Sequence, residues 1–252
     1  ESFIENDHLY KVKPGTTEVS LESNYDGYLY GGSVIISSTV VHDGVTYSVT
    51  EINSFYNYHK ASTITLEEGI QRINNNSLYA LDAEYLYLPA SLVFFPANAE
   101  GLQKSPNMLA VYVSSDNPYY YTYDQCLYRR DSLIAVPQGI AGSVTVKDGT
   151  RTIPRWIFKE SKCCAVNIPA SVRFVGSTFM KDCKNIADIY VHWSAEELKS
   201  IVFEQSQFPY NVKDYYFNGL IYSNITIHVP QGTVDTYKAH QVWGLIPNIT
   251  DN

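Results

Sequence analysis

A short motif that recurs along the chain constrains the fold more than any other feature. Residues 165–175 read AVNIPASVRFV: two apolar residues separated by one position, then a proline, then apolar residues three and six positions beyond the proline. Related copies begin at Ile64 and Leu86. Self-similarity at a short period is the signature of repeat architectures, in which no single repeat can bury its own apolar face.

The copies follow one another at intervals of roughly 22 to 25 residues, a length typical of one structural repeat. The first residues of the apolar couplets are Ile64, Leu86, Val111, Val166, Ile189 and Ile227. A weaker copy at 134–137 divides the long interval between Val111 and Val166, and an insertion near 204–218 lengthens the interval before Ile227.

The couplet predicts a strand whose first and third residues share one face. Val166 and Ile168 are therefore expected to point inward and Asn167 outward, because side chains alternate along a strand. Proline lacks the N–H that a ladder needs, so Pro169 is expected to end the strand. The apolar pair Val172 and Val175 would return the chain along the other side. A β-sandwich with short, regular strands is the alternative; prolines in phase with the couplets favour the repeat.

The two ends differ from the repeats. Pro14-Gly15 and Asp43-Gly44 each lie between β-forming runs and predict hairpins. We therefore predict a β-rich repeat solenoid that forms one elongated domain, 1–252. An N-terminal β-hairpin cap would cover 1–48, the repeats 49–229 with inserts near 114–132 and 204–218, and a short C-terminal cap 230–252. Caps are needed because a terminal repeat would otherwise expose its apolar face.

Composition excludes some functions. A formal net charge of −8 lacks the basic surface of nucleic-acid binding proteins. No apolar run reaches the about 18 residues of a membrane helix, so no transmembrane segment is expected. Because the chain opens with Glu1 and not Met, we expect that a signal or lipoprotein segment has been removed, with a lipid anchor upstream left open.

No motif points to catalysis. The six histidines lack a metal-binding spacing such as H-E-x-x-H, and no G-x-S-x-G elbow or phosphate-binding glycine loop is present. We predict no enzyme activity, no cofactor and no metal site. The four cysteines are expected to be reduced and buried. A Cys–His pair built on Cys126 is the catalytic alternative, and burial is favoured for that residue.

The repeat resembles that of the BspA-type leucine-rich repeat family of bacterial surface proteins. The best copy runs from Val175-Gly176 through Phe179 and Cys183 to Ile186, and Phe55 and Phe158 match the family's phenylalanine. The segment 117–134 resembles the family's small β-excursion, and 229–243 resembles its closing segment. The family's cysteine is matched only at Cys183, and Ser114 follows one couplet in place of proline. The resemblance implies a leucine-rich-repeat superhelix with a parallel sheet on one face, outside the cytoplasm.

The candidate binding residues are those that the alternation points outward. On the sheet face they are Tyr85, Tyr87, Tyr112, Tyr190, His192 and His228. A second set lies in the inserted loop: Tyr119, Tyr120, Tyr121 and Tyr123. Tyrosine offers a large contact area and a hydroxyl at low entropic cost, which suits protein or sugar partners. The alternatives are that tyrosine is only a good strand former, and that the loop packs as a flap.

Together these observations favour a non-enzymatic, extracellular or cell-surface module that binds a protein or glycan partner, in adhesion or another interaction. A structural spacer or stalk of a surface assembly is the second hypothesis. A hydrolase acting on glycans is the third, and it would need a pair of carboxylates across a cleft.

Overall fold

The fold is known from a computed structural model that describes residues 1–23, 30–75, 77–96, 102–205 and 215–252. Most of the predicted insertion near 204–218 lies outside the described residues. The strands are β1 Ser2–Glu5, β2 His8–Val12, β3 Glu18–Glu22, β4 Gly31–Ile36, β5 Thr39–His42, β6 Val45–Ile52, β7 Lys60–Leu66, β8 Arg72–Ile73, β9 Tyr85–Leu88, β10 Ala110–Val113, β11 Tyr120–Tyr123, β12 Cys126–Arg129, β13 Ser132–Ala135, β14 Ser143–Thr145, β15 Thr152–Ile153, β16 Ala165–Ile168, β17 Phe174–Val175, β18 Asp188–Val191, β19 Val202–Phe203, β20 Thr226–Val229 and β21 Asn248–Asp251. The α-helices are α1 Ala195–Leu198 and α2 Val234–Ala239, and single 3₁₀ turns cover Tyr56–Tyr58, Tyr222–Asn224 and Trp243–Leu245.

The couplets form two parallel sheets. The first has the order β10-β9-β7-β4 and the second the order β14-β16-β18-β20-β21. Equivalent residues pair across neighbouring strands, so that Leu86 lies between Ile64 and Val111, and Ile189 lies between Val166 and Ile227. The copies found in the sequence are therefore successive turns of the chain stacked in register.

The inward and outward directions are as the alternation predicts. Val166 and Ile168 are completely buried, and Asn167 between them is half-buried. In β9, Leu86 and Leu88 are buried and Tyr87 is exposed. Each fully buried aliphatic side chain contributes roughly 1.5 to 3 kcal/mol, so the couplets supply much of the stability of each turn.

Strands also pair in parallel on the opposite side of the turns, whereas the sequence predicted a parallel sheet on one face only. Val172 and Val175 are fully buried, as predicted. The two-residue strand β17 pairs in parallel with β15 on one side and β19 on the other. This second ladder forms because its apolar pairs recur at the same period as the couplets.

The first parallel sheet starts earlier than residue 49. The meander β1-β2-β3 and the hairpin β5-β6 are antiparallel, as expected, and the hairpin turns at Asp43 and Gly44, both with positive φ. However, β4 pairs in parallel with β7, which places Ile35 beside Thr65. The segment 31–36 alternates in the same way as a couplet strand but lacks the proline, which is why it was assigned to the predicted cap.

The predicted weak copy at 134–137 is wrong. Ile134 and Ala135 belong to β13, which pairs with β12 and β15 in the second ladder. The couplet of this turn is Val144 and Val146, both buried, and Val144 pairs with Val166. The sequence pattern predicted the couplet at β13 and not at β14, because Pro137 follows β13 in the way that a proline follows a couplet strand.

The hairpin β11-β12 stands between the two parallel sheets. Its turn residues Asp124 and Gln125 both have positive φ. The Gln125 carbonyl accepts the Val111 N–H on one side at 3.0 Å, and the Asp124 carboxylate accepts the Thr145 N–H on the other at 2.8 Å. The excursion predicted for 117–134 is thus an element that links both sheets.

Strand β12 separates two hydrophobic cores and is therefore buried on both faces. Leu127 packs into the core of the first half of the chain. Cys126 and Tyr128 point the other way, into the core of the second half. The second core extends to α2 and the last 3₁₀ turn, where Trp243 is fully buried and the Tyr237 hydroxyl donates to the carbonyl of Trp193 at 2.8 Å.

Candidate functional site

The outward face of the first parallel sheet carries a stacked group of tyrosines, here the tyrosine row: Tyr85, Tyr87 and Tyr112. Cross-strand register aligns Thr65, Tyr87 and Tyr112, and it brings Tyr85 opposite Ala110. The rings of Tyr87 and Tyr112 are 5.4 Å apart at an angle of 26°, and those of Tyr85 and Tyr112 are 6.3 Å apart at 16°. Tyr112 is therefore stacked with both Tyr85 and Tyr87 of the neighbouring strand.

The tyrosine row is exposed and carries no formal charge. Tyr87 is 40% exposed and Tyr112 37%, and Ile35 at the far end of the same register row is 68% exposed. Sequence reasoning missed Ile35 because β4 was assigned to the cap; its alternation with Val34 and Ile36 was the available signal. Alternation also predicts an outward direction for Ala110, two positions before Tyr112, yet Ala110 is completely buried. Gln125 of the hairpin lies across this end of β10, and its side-chain amide donates to the Leu109 carbonyl at 3.0 Å.

The second parallel sheet carries a separate group, here the tyrosine–histidine cluster: Asn167, Asp188, Tyr190, His192 and His228. The ring of His228 stacks on Tyr190 at 4.2 Å and 11°. Its Nε2 lies 2.7 Å from a carboxylate oxygen of Asp188, and the Nε2 of His192 lies 2.7 Å from the Asn167 amide oxygen. These contacts hold the aromatic rings in fixed orientations and leave His192 exposed.

The predicted tyrosine stripe is thus two groups and not one. Tyr85, Tyr87 and Tyr112 meet on the first sheet, whereas Tyr190, His192 and His228 meet on the second. Asp124 and Gln125 of the hairpin bond to the strand ends on each side of the break. The sequence could not reveal this, because the turn of the inserted hairpin lies between β10 and β14, where another couplet strand would otherwise pair.

The four tyrosines of the predicted loop have different environments. Residues 120–123 form β11. Tyr119 and Tyr123 are about two-fifths exposed, at 41% and 39%. Tyr120 is only 2% exposed, and its hydroxyl accepts the N–H of Phe95 at 2.9 Å. Tyr120 is therefore a core residue and is removed from the candidate surface.

Tyr121 is half-buried and held in place on several sides. Its ring stacks on Tyr128 at 5.4 Å, and its hydroxyl donates to the Arg130 carbonyl at 2.7 Å. The ammonium of Lys147 lies 5.0 Å from the ring centre. Burial, with the charge of Asp131, raises the pKa of the Tyr121 phenol, so the hydroxyl stays protonated and available as a donor. A hairpin fixed in this way agrees with the packed-flap alternative.

The described part of the chain contains no group of three or more His, Cys, Asp or Glu side chains placed to hold a metal ion. All four cysteines are free. Cys126, Cys163 and Cys183 are buried as predicted, but Cys164 is exposed, because it neighbours Cys163 and points to the opposite side. Burial raises the pKa of the Cys126 thiol well above its ordinary value, which disfavours the thiolate that a catalytic role would need.

Comparison with solved structures finds bacterial leucine-rich repeat proteins of low sequence identity. A leucine-rich cell surface protein from Faecalibacterium prausnitzii is 11% identical over 100% of this chain and 95% of its own, with a TM-score of 0.40. A leucine-rich repeat protein from Eubacterium ventriosum is 11% identical over 91% and 78%, also at 0.40. One from Bacteroides ovatus is 12% identical over 90% of this chain and 55% of its own, at 0.41.

No curated protein matches the sequence. No helix in the described ranges is long and apolar enough to span a membrane.

The model of the BspA-type leucine-rich repeat region matches six copies, within residues 23–101 and 140–221, which is more than half of the chain. The match leaves out the residues of the hairpin β11-β12 and starts before residue 49, in agreement with the pairing of β4. The chain belongs to the BspA-type leucine-rich repeat family.

Proposed function

We propose that this protein is a non-enzymatic binding module of the bacterial cell surface, and that the tyrosine row is its main contact surface. The observation that carries the proposal is the uncharged stack of Tyr85, Tyr87 and Tyr112 on the first parallel sheet, in which Tyr87 and Tyr112 are exposed. Leucine-rich repeat modules use such sheet faces for protein interactions. Tyrosine rings held by their neighbours lose little conformational entropy when a partner binds.

A protein partner fits this surface better than a glycan. Sugar rings stack on open aromatic faces, whereas Tyr87 and Tyr112 each have one face covered by the other ring. Edges and hydroxyls remain, and these suit backbone carbonyls and apolar side chains of a protein. Because neither Ile35 nor the row carries a charge, binding there should change little between about 0.1 and 0.5 M salt, where exposed charge pairs are screened.

The tyrosine–histidine cluster is proposed as a second, more polar part of the same surface. Tyr190, His192 and His228 present a phenol and imidazoles, and Asp188 lies beside them. A glycan would find more kinds of hydrogen-bonding group here, imidazoles and a carboxylate beside a phenol, than at the first sheet. Tyr119 and Tyr123, the exposed tyrosines of the hairpin, lie in the element that joins the two sheets. We propose that they connect the tyrosine row and the tyrosine–histidine cluster into one contact surface.

We further propose that the surface is presented by one elongated solenoid of residues 1–252, closed by the β1-β2-β3 meander at one end and by α2 and β21 at the other. The in-register stacking of successive turns supports a continuous superhelix. Adhesion, and a location at the outer surface with an anchoring segment outside this sequence, are part of the proposal. They agree with the family and with the relative named as a cell surface protein.

The test compares the wild-type protein with Y87S/Y112S and with Y190S/H228S. Each protein is applied to an array of purified host surface and matrix proteins and to a glycan array. Y79S is the matched control, because Tyr79 is 48% exposed but lies outside the parallel strands. We expect protein hits that Y87S/Y112S loses and Y79S keeps, with all variants folded by circular dichroism.

Hits that survive Y87S/Y112S would refute the tyrosine row as the contact surface. Hits confined to glycans, and lost only in Y190S/H228S, would transfer the function to the tyrosine–histidine cluster. A folded protein with no specific hit on either array would favour a structural spacer.

A further inference from the structure

Two buried thiols from successive turns face each other in the second core. The Sγ atoms of Cys163 and Cys183 are 3.7 Å apart. Both side chains have no exposed surface, and both cysteines are free. Cys126 is equally buried in the same core but takes no part in this sulfur–sulfur contact.

The backbone next to the two thiols is held by the parallel sheet. Strands β16 and β18 pair from Ala165 and Asp188 onward. The carbonyl of Cys164 accepts the N–H groups of Ala187 at 2.8 Å and Asp188 at 3.2 Å. These bonds fix the two segments relative to each other, so the short distance between the sulfurs belongs to the folded state. A disulfide needs an S–S distance of about 2.05 Å, so the two sulfurs, now 3.7 Å apart, must approach each other further.

A cavity lies next to one of the two cysteines, although neither side chain has exposed surface. A cavity of about 300 Å³ is lined by Cys183, Lys184 and Ile186 on one side and by 219–221 on the other. The hydrogen bond between the two sulfurs lowers the pKa of the Cys163 thiol, ahead of the opposing effect of burial. The same bond, together with burial, raises the pKa of Cys183. Of the two thiols, Cys163 is therefore the one that loses its proton more readily.

We propose that Cys163 and Cys183 are an oxidative cross-linking site at which a peroxide joins two successive repeats by a disulfide. One thiolate attacks a peroxide oxygen, which gives a sulfenic acid and releases hydroxide. The second sulfur then displaces the sulfenic oxygen as water and closes the S–S bond. In total the two thiols lose two protons and two electrons, and one hydrogen peroxide becomes two molecules of water. The cross-link does not depend on which partner the protein binds.

The bond would join Cys163 to Cys183 around the whole turn that contains β16 and β17. A cross-link of this loop length restricts the unfolded chain and stabilises the folded one. It would also tie the segment before β16, the strand of Asn167, to the segment before β18, the strand of Tyr190, so that the tyrosine–histidine cluster rests on a covalently closed turn.

The test uses the folded chain carrying Cys164→Ser, because the exposed thiol beside Cys163 would complicate mapping. The protein is treated with hydrogen peroxide, free thiols are alkylated under denaturing conditions, and the chain is digested with trypsin. Cleavage after Lys162, Arg173, Lys181 and Lys184 separates the two cysteines onto different peptides. We expect the peptides 163–173 and 182–184 to be joined, with the intact mass lower by two hydrogens and Cys126 fully alkylated.

The Tm of the oxidised chain is expected to rise by several degrees, and a phosphine reductant should reverse the rise. This comparison uses one protein in two redox states, so it does not depend on the folding of a variant. Cys126→Ser should cross-link as before, whereas Cys183→Ser should not. The proposal is overturned if Cys163 and Cys183 are both alkylated after peroxide treatment of the folded chain, or if the joined peptides contain Cys126.

Discussion

Replacement of Gly176 by alanine tests the stacking of successive turns most directly. Gly176 follows β17, and its N–H donates to the Ile153 carbonyl of the previous turn at 2.7 Å. A Cβ atom at this position would lie 2.0 Å from the Arg155 backbone nitrogen and 2.4 Å from the Pro154 carbonyl carbon. Ordinary van der Waals contact begins at 3.4 Å, so one of the two backbones must move.

The magnitude follows from the atoms involved. Overpacking against a side chain costs about 1 to 3 kcal/mol, and here the obstacle is backbone that two ladders hold in place. Movement also weakens the bond to Ile153, which contributes about 1 kcal/mol. We expect Gly176→Ala to lower the free energy of unfolding by about 3 kcal/mol or more, equivalent to a Tm decrease of roughly 6 to 12 °C for a chain of this size.

Gly142→Ala is the matched control. Gly142 directly precedes the couplet strand β14, and its carbonyl accepts the Cys164 N–H at 3.0 Å. A Cβ there meets nothing within 4 Å, so alanine should leave stability unchanged or raise it by up to about 1 kcal/mol through the unfolded chain. Both variants are melted by circular dichroism and unfolded in urea. Tm values within about 2 °C of each other would refute the close approach of the turns.

Two further predictions concern the core and its response to pH. Ile168→Ala should lower the free energy of unfolding by about 2 to 5 kcal/mol, because Ile168 is completely buried on β16; a thermal melt that does not shift would contradict the assigned direction. Burial lowers the pKa of His8 below its ordinary 6.5, and the ring is held neutral, donating from Nδ1 to the Asn6 carbonyl and accepting the Tyr58 hydroxyl at Nε2. As the pH falls below 6.5, the unfolded chain therefore takes up the proton before the folded chain does, so the stability of the folded state decreases. The Tm measured from pH 7.5 to 5 should fall less steeply for His8→Gln than for the wild type. Equal slopes would show that His8 is not responsible.

Most of the local structure was predictable from the sequence, whereas the assignment of particular strands was less secure. The couplets at Leu86 and Val166 and the hairpin at Asp43-Gly44 were identified correctly, because alternation and turn chemistry act over a few residues. The copy at 134–137 was misassigned, since a proline after an apolar run marks the end of a strand without specifying its sheet. The strand β4 was missed for the opposite reason, the absence of a proline.

The candidate surface was predicted in part. Tyr87 and Tyr112 are exposed on the sheet face as expected, but Tyr120 and Ala110 are buried. Alternation specifies on which side of its own strand a residue lies. It does not specify what another part of the chain places over that side, and here the hairpin covers one end of the first sheet.

The sequence by itself determined the repeat, the family and the inward direction of residues such as Val166 and Ile168. Each of these depends only on the spacing of residue types close together in the chain. Only the tertiary structure decided that the outward aromatics form two groups, that β12 is buried on both faces, and that the sulfurs of Cys163 and Cys183 meet. The physical reason is register. Loops of unequal length separate the turns, and the alignment of one turn on the next is set by the packing of the whole stack and not by the residues within a single repeat.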